Sequence, residues 1–479
     1  MKFNGFKRPF LRDNQKNQQN LQEIFGIHHY RLEDDSSRTR VHLRVDPDGY
    51  GTLIVNANSV THLNPTATMM AYLYLEDHLN KSALSILTKK FNVPKKVAKK
   101  DYLNLISEIE ALIDPEKCAI CTFDDLEISA PFSARPTAPY RMDLAVTYRC
   151  NNDCAHCYNA RPRDYPEMTT DEWKSVIDKT WELAIPHLVF TGGEPTLRND
   201  LPELIAYAEN NGQITGLNTN GRRLSDKSYL QELIDAGLDH VQITLESHDP
   251  DIHDYMVNKK GAWKQTVQGL KNALSSELYV MTNTTMLQAN SGKLKETLDF
   301  LAELGVPTVG LNALIYSGHG KTVGTGLRDE ELPPLLQLAQ EKTTLNKQRL
   351  IWYTPTQYCH FDPTQFGLGV KGCTAALYNM CVEPDGGVLP CQSYYVQLGN
   401  LLKDSWDSIW NHELAIHLRE RKYIPDVCKS CALLVECGGG CPLSLEANQP
   451  VLFPFDKIPN PDEVDKEFFI YRPLRETEV

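Results

Sequence analysis

Between residues 141 and about 330, short apolar runs alternate with amphipathic stretches. The runs at 144–148, 187–191, 215–218, 240–245, 279–285 and 308–312 have the length and β-branched or aromatic character of strands. The stretches at 171–183, 202–210, 226–236, 262–274 and 292–304 keep a helical period instead. Thr169 or Thr170 suits the cap of the first, and Gly237 and Gly305 each follow a helix as a C-terminal stop. This alternation predicts an α/β fold, a partial (β/α)6 parallel barrel. Chemistry in such sheets gathers where the strands end.

Upstream the pattern changes. Residues 1–20 are polar, rich in Asn, Gln and Lys, and predict a disordered N-terminus. Residues 21–115 read as strands at 41–45, 52–57 and 60–63, with a turn at Asp46-Pro47-Asp48-Gly49. Helices at 65–76, 81–91 and 99–113 follow, the last striped by Tyr102, Leu103, Ile106, Ile109, Leu112 and Ile113. A small sheet followed by three helices is a winged-helix-like α+β module. Residues 116–140 form a linker in which Pro131, Pro136 and Pro139 disfavour helix. A connecting helix is expected at 331–357, a cysteine-rich segment at 358–450 and a tail at 451–479.

Charge narrows the partners. The 479-residue chain has a net charge of −13 and no long basic run, which argues against nucleic acid or an anionic membrane. No uninterrupted apolar stretch reaches the length of a transmembrane helix, and the polar N-terminus does not read as a secretion signal. A cytoplasmic location is expected. There, thirteen Cys are better read as metal ligands than as disulfides. A DNA-binding role for the N-terminal module lacks a basic recognition helix.

The densest chemistry is Cys150-Asn151-Asn152-Asp153-Cys154-Ala155-His156-Cys157-Tyr158, directly after the first barrel strand. Three thiols so closely spaced can face one point. A 4Fe-4S cubane takes four ligands, so three thiolates would leave one iron open. A zinc ion with His156 as the fourth ligand is the competing reading. The second strand ends in Thr191-Gly192-Gly193-Glu194-Pro195 and the third in Asn218-Thr219-Asn220-Gly221. Further on come Cys359, Cys373, Cys381, Cys391 and the run Cys428-x2-Cys431-x5-Cys437-x3-Cys441.

With the Cys triplet and Gly-Gly-Glu-Pro at successive strand ends, the barrel resembles a radical S-adenosylmethionine (SAM) enzyme. The later cysteines are similar to the SPASM extension of that family, which holds one or two auxiliary 4Fe-4S clusters. The module at 21–115 resembles the peptide-chaperone domain of pyrroloquinoline quinone biosynthesis. That resemblance rests on its strand and helix order, its Pro-Asp-Gly turn and the helix entry Leu63-Asn64-Pro65-Thr66-Ala67. The resemblance implies a SAM-binding cluster on Cys150, Cys154 and Cys157, and SAM contacts from Tyr158, Gly192, Gly193, Glu194, Pro195 and Asn218. Thr244 and Glu246 stand where relatives contact ribose. By the same carry-over, Cys359, Cys373, Cys391 and Cys441 would hold one auxiliary cluster, and Cys428, Cys431 and Cys437 a second. The downstream cysteine that usually completes the second is missing here. Asp456, Cys118 or Cys121 could substitute, or an iron could stay open. Cys381 reads as a small buried hydrophobe.

Three functions follow. The first is a maturase that binds the leader of a ribosomally made peptide by strand addition and modifies its core by hydrogen abstraction, fed by a flavodoxin or ferredoxin. The second is the same chemistry on a folded protein or a small molecule. Gln392 weakens a sulfatase-maturing version, where an acidic residue is usual. The third is a non-catalytic iron–sulfur carrier, in which Gly-Gly-Glu-Pro would have no purpose. No general base is readable; Tyr316 is the candidate for the cavity. His42, His62, His253 and His319 are expected to be surface or capping groups.

Overall fold

The computed structural model describes residues 24–33, 38–56, 59–78, 80–113 and 136–448. Cys118, Cys121, Asp456 and the expected tail lie outside them. The described residues fall into two compact units. One draws on Met1–Arg141, Ile177–His187 and Asn210–Ile214, the other on Met142–Val176, Leu188–Glu209 and Thr215–Val479.

In the first unit, β1 (Gly26–Glu33), β2 (Arg38–Val45), β3 (Gly51–Val55) and β4 (Ser59–Leu63) form an antiparallel meander in that order. Three helices follow, Pro65–Leu75, Asn80–Phe91 and Lys95–Ile113. The Asn64 side chain caps the first by accepting from Ala67 N–H at 2.9 Å, with Pro65 in the first turn where no donor is needed. Val41, Leu43, Leu53, Leu63, Met69, Leu73, Leu87 and Tyr102 form the core between sheet and helices. Four strands are present where three are legible in the sequence. The missed one, β1, reads Gly-Ile-His-His-Tyr-Arg-Leu-Glu, and its imidazoles and guanidinium hide the alternation.

Four polar side chains of β2 are buried, Thr39, Arg40, His42 and Arg44, which corrects the expectation for His42. The Arg44 guanidinium is 1% exposed and donates to Asp46, Thr137 and the carbonyls of Ala138 and Pro139, fixing the end of the proline-bearing segment. His42 is fully buried, donates from Nε2 to the Gly212 carbonyl at 2.8 Å and stacks on His29. Burial pulls the His42 pKa down to about 4. Its folded value lies below its unfolded value, so its contribution is complete above pH 6.5 and is lost as the pH falls towards 4. The loss amounts to about 3 kcal/mol at the lower end. Urea unfolding followed from pH 7 to 4 should show this decline on top of that of His29, which burial also holds low, and His42→Gln should make it shallower. The same pH dependence in the variant would contradict the assignment.

The second unit is built on a ten-stranded sheet. Its strands are β5 (Arg141–Thr147), β6 (His187–Gly192), β7 (Ile214–Thr219), β8 (His240–Thr244), β9 (Tyr279–Thr285), β10 (Thr308–Asn312), β11 (Arg349–Trp352), β12 (Asn379–Val382), β13 (Gly387–Leu389) and β14 (Gly399–Asn400). The order is β11-β10-β9-β8-β7-β6-β5-β12-β13-β14. From β7 to β11 the pairing is parallel. Because β5 is flanked by β6 and β12, and β10 by β9 and β11, the sheet stays open as a partial barrel. The connecting helix expected at 331–357 is shorter, Leu332–Leu345, and is followed by β11. A four-residue strand is too short to show a period. The β12–β13 hairpin places Cys381, 1% exposed, against Ala145, Tyr148 and Leu389, as a buried hydrophobe.

Among the described residues no helix is long and apolar enough to cross a membrane.

Candidate active site

The cysteine loop follows β5, and the backbone around it is pinned from several sides. Asp153 N–H donates to Val257 O at 2.9 Å and Ala155 N–H to Met256 O at 3.3 Å. Arg222 donates to Asn151 O and Asn152 Oδ1, and Arg163 to Cys150 O and Asn152 O. From the far side, His319 N–H donates to Cys157 O at 2.8 Å. None of these partners carries a sequence signal, and His319 reads as bland in sequence; only the fold brings them to the loop.

Burial pushes the Cys150 thiol up to about 11, with Glu194 and Cys157 adding to the shift. Cys154 rises for the same first reason, then through Cys157. Buried sulfurs that repel each other when ionised fit a cationic centre, which would reverse that balance. Among the described residues, no three His, Cys, Asp or Glu side chains converge on one ion position. His156 is also engaged elsewhere. Its Nε2 pairs with Glu246 Oε1 at 2.9 Å, both side chains buried, which ties the cysteine loop to the end of β8.

Gly192 and Gly193 press on the end of β5. A Cβ on Gly192, at φ +137°, would sit 2.1 Å from Thr147 O, and one on Gly193 2.4 Å from Arg149 O. Gly193 N–H donates to Thr147 O at 2.7 Å and Glu194 N–H to Arg149 O at 2.8 Å. The glycines therefore join this turn to the root of the cysteine loop. Glu194 is 1% exposed, and both its oxygens are engaged. Oε1 accepts from Thr196 N–H, Thr196 Oγ1 and Thr219 Oγ1; Oε2 accepts from Asn220 N–H at 2.8 Å. Pro195 follows it, buried, at the start of a short 3-10 turn.

Both Glu246 oxygens have protein partners. Oε1 holds His156, and Oε2 accepts from Thr285 N–H at 2.9 Å. Its own N–H donates to His253 Nδ1 at 3.2 Å, so His253 is buried and neutral rather than a surface group. Burial lowers the His253 pKa. The Glu246 side chain thus orients the cysteine loop, since His156 lies between Cys154 and Cys157. Thr244 and Asn218 sit half-buried on β8 and β7. Tyr158 reaches Gln392 Oε1 with its hydroxyl at 3.4 Å. Tyr316 packs with Met256, Leu287 and Leu314.

A cavity of about 680 Å³ opens beside the loop, lined by Arg161, Ser317, His319, Tyr394, Tyr395 and Glu446 among others. Arg161 lies between the rings of Tyr165 and Tyr395, each 5.4 Å away, and forms a two-pronged pair with buried Glu383 at 2.7 and 3.0 Å. Glu383 also accepts from Tyr148 and Gln397. This network ties the segment after the cysteine loop to the residue that follows β12.

The later thiols form two groups. Cys373, Cys391 and Cys441 are mutual neighbours; burial pushes Cys391 up to about 12, with Cys441 adding to the shift. Cys428, Cys431 and Cys437 form the other group, and Cys359 stands with them rather than with Cys373. This differs from the grouping that family resemblance implies.

Known proteins match the same part of the chain. Residues 144–301 match the radical SAM superfamily, a span that contains the cysteine loop and Gly-Gly-Glu-Pro. Residues 373–432 match SPASM, an iron–sulfur cluster-binding domain. The Fe-coproporphyrin III synthase of Methanosarcina barkeri is 29% identical over 333 residues, covering 63% of this chain and 83% of that protein. SuiB of Streptococcus suis bound to S-adenosylmethionine has a similar fold, with a TM-score of 0.64 at 19% identity over 85% of this chain and 95% of that one. SuiB bound to its precursor peptide SuiA gives 0.62 at 16% identity, over 84% and 94% of the two chains. The anSMEcpe structure with AdoMet and the Kp18Cys peptide gives 0.52 at 17% identity, over 64% and 90%. The cofactors of the two matched domains are 4Fe-4S clusters and SAM. With an open parallel barrel, a three-thiol loop at the end of β5 and a cysteine-rich extension beyond β11, the chain carries a radical SAM domain over residues 144–301 and a SPASM domain over residues 373–432.

Proposed function

We propose that the chain matures a ribosomally made peptide, binding its leader on the N-terminal module and modifying its core beside the cysteine loop. Cys150, Cys154 and Cys157 would hold the SAM-binding cluster, with Gly192, Gly193 and Glu194 shaping the wall next to it. The cluster and SAM together supply, on one-electron reduction, a 5′-deoxyadenosyl radical able to take hydrogen from unactivated carbon. The chain's own part is to fix the loop through Glu246–His156 and Arg222, and to keep water from the reacting carbon by burial.

The observation that carries the peptide reading is the four-stranded antiparallel sheet, whose outer strands β1 and β4 each pair on one side only among the described residues. An unpaired edge is a template for an added strand. β4 presents Val60, 46% exposed, on such an edge. SuiB, similar in fold, has been solved with its precursor peptide, which supports the reading by analogy of fold.

Val60→Glu tests this. Losing an apolar contact and adding a charge should weaken leader binding about tenfold, about 1.4 kcal/mol, in a fluorescence titration. Formation of 5′-deoxyadenosine without peptide should stay as in the parent. Unchanged leader affinity would count against the β4 edge.

A second reading, radical chemistry on a small molecule, draws on the likeness to Fe-coproporphyrin III synthase. Removal of the N-terminal module separates the two. Full activity on substrate after that truncation favours the small molecule.

A further inference from the structure

Residues 356–359 lie directly against the later cysteine run. Tyr358 N–H donates to Cys437 Sγ at 3.3 Å, and the Cys437 thiol points back to Thr356 O at 3.7 Å. Three successive glycines, Gly438, Gly439 and Gly440, all at positive φ, turn the chain between Cys437 and Cys441. A Cβ on Gly440 would meet Gln357 N at 3.2 Å, so the glycine turn permits this close approach. Cys359, exposed, is the next residue after Tyr358 and has Cys437 and Cys431 as electrostatic neighbours. Cys428, in turn, has Cys359, Cys437 and Cys431 around it. Cys373 faces Cys441 and Cys391 instead.

We infer that Cys359 is the fourth thiolate of the auxiliary centre held by Cys428, Cys431 and Cys437. It takes the place usually filled by a cysteine downstream of Cys441; residues 442–479 contain none. The inference rests on the SPASM reading. Its consequence is that Cys373, Cys391 and Cys441 form a three-thiol set. The two halves of the centre approach along the chain from opposite sides, one from the turn after β11 and one from the glycine-rich run. A four-thiolate 4Fe-4S cluster needs no further ligand.

The full-length chain with Cys150, Cys154 and Cys157 all changed to Ala isolates the auxiliary centres. After anaerobic reconstitution this background should hold about eight irons and show two reduced cluster signals by electron paramagnetic resonance. Cys373→Ala and Cys437→Ala each identify one signal. Cys359→Ala should disturb the signal lost in Cys437→Ala, lower iron towards about four, and leave the other signal alone. Cys359→Ser should retain iron with shifted g values, and because Cys359 is exposed both variants should keep the parent's circular dichroism. Disturbance of the Cys373 signal instead, or unchanged iron and both signals intact, overturns the assignment. The latter result would move the ligand to Cys118, Cys121 or Asp456. A background with a single auxiliary signal overturns it too, whereas a background with no iron marks failure of the SPASM reading itself.

Discussion

Cys154→Ala is expected to remove about four irons per chain and to abolish 5′-deoxyadenosine formation from SAM and dithionite, while the fold persists. The fold should persist because the loop is held by its backbone. Asp153 and Ala155 bond to Val257 and Met256, and Arg222 and Arg163 hold the carbonyls of Cys150, Asn151 and Asn152. Replacing the thiol leaves these backbone bonds in place. Without it only two thiolates remain at a site that needs three, so the cluster has no stable seat. Iron and sulfide assays with chromatography of the nucleoside products check the outcome. Full iron content with intact SAM cleavage would show that the SAM-binding cluster lies elsewhere.

Gly192→Ala should destabilise the barrel by more than about 4 kcal/mol, seen as loss of folded protein or a much lower unfolding midpoint. The new methyl group would stand 2.1 Å from Thr147 O, a backbone atom of β5 that cannot swing aside. The φ of +137° adds strain for any residue with a Cβ. Relief would require β5 and β6 to separate, breaking the Gly193–Thr147 hydrogen bond and moving the cysteine loop with it. Gly261→Ala is the matched control: its φ is +79° but nothing lies within 4 Å of the added carbon. It should cost only about 1–2 kcal/mol. Equal effects in the two variants would refute the close-approach argument.

Much of this architecture is written in local patterns. The alternation of apolar runs with helical stripes marks the strands from β5 to β10 because β5, β6, β7 and β10 are buried along almost their whole length and read as continuous apolar runs. The thiol spacing and Gly-Gly-Glu-Pro are legible because a short loop and a tight turn need specific residue types. What is not legible depends on distant partners. Glu194 and Glu246 look like cofactor contacts in sequence, yet their oxygens are engaged by Thr196, Thr219, Asn220, His156 and Thr285, four of them from other elements. His42 and His253 look like surface groups, yet each is buried with a backbone partner far away or across a turn. Cys359 is nearer in sequence to Cys373 than to Cys437, and only the fold after β11 carries it to the latter. β1 and β11 escape because one is masked by polar side chains and the other is too short for a period.

The proposed peptide maturation requires that hydrogen be taken from the peptide by a radical formed at the Cys150–Cys154–Cys157 site. The most direct measurement uses a candidate precursor peptide with its core residues deuterated, incubated anaerobically with reconstituted enzyme, SAM and reductant. Deuterium is expected in the 5′-deoxyadenosine, together with a peptide product that differs in mass or configuration. Unlabelled 5′-deoxyadenosine beside an unchanged peptide, across leaders that do bind the N-terminal module, would contradict it.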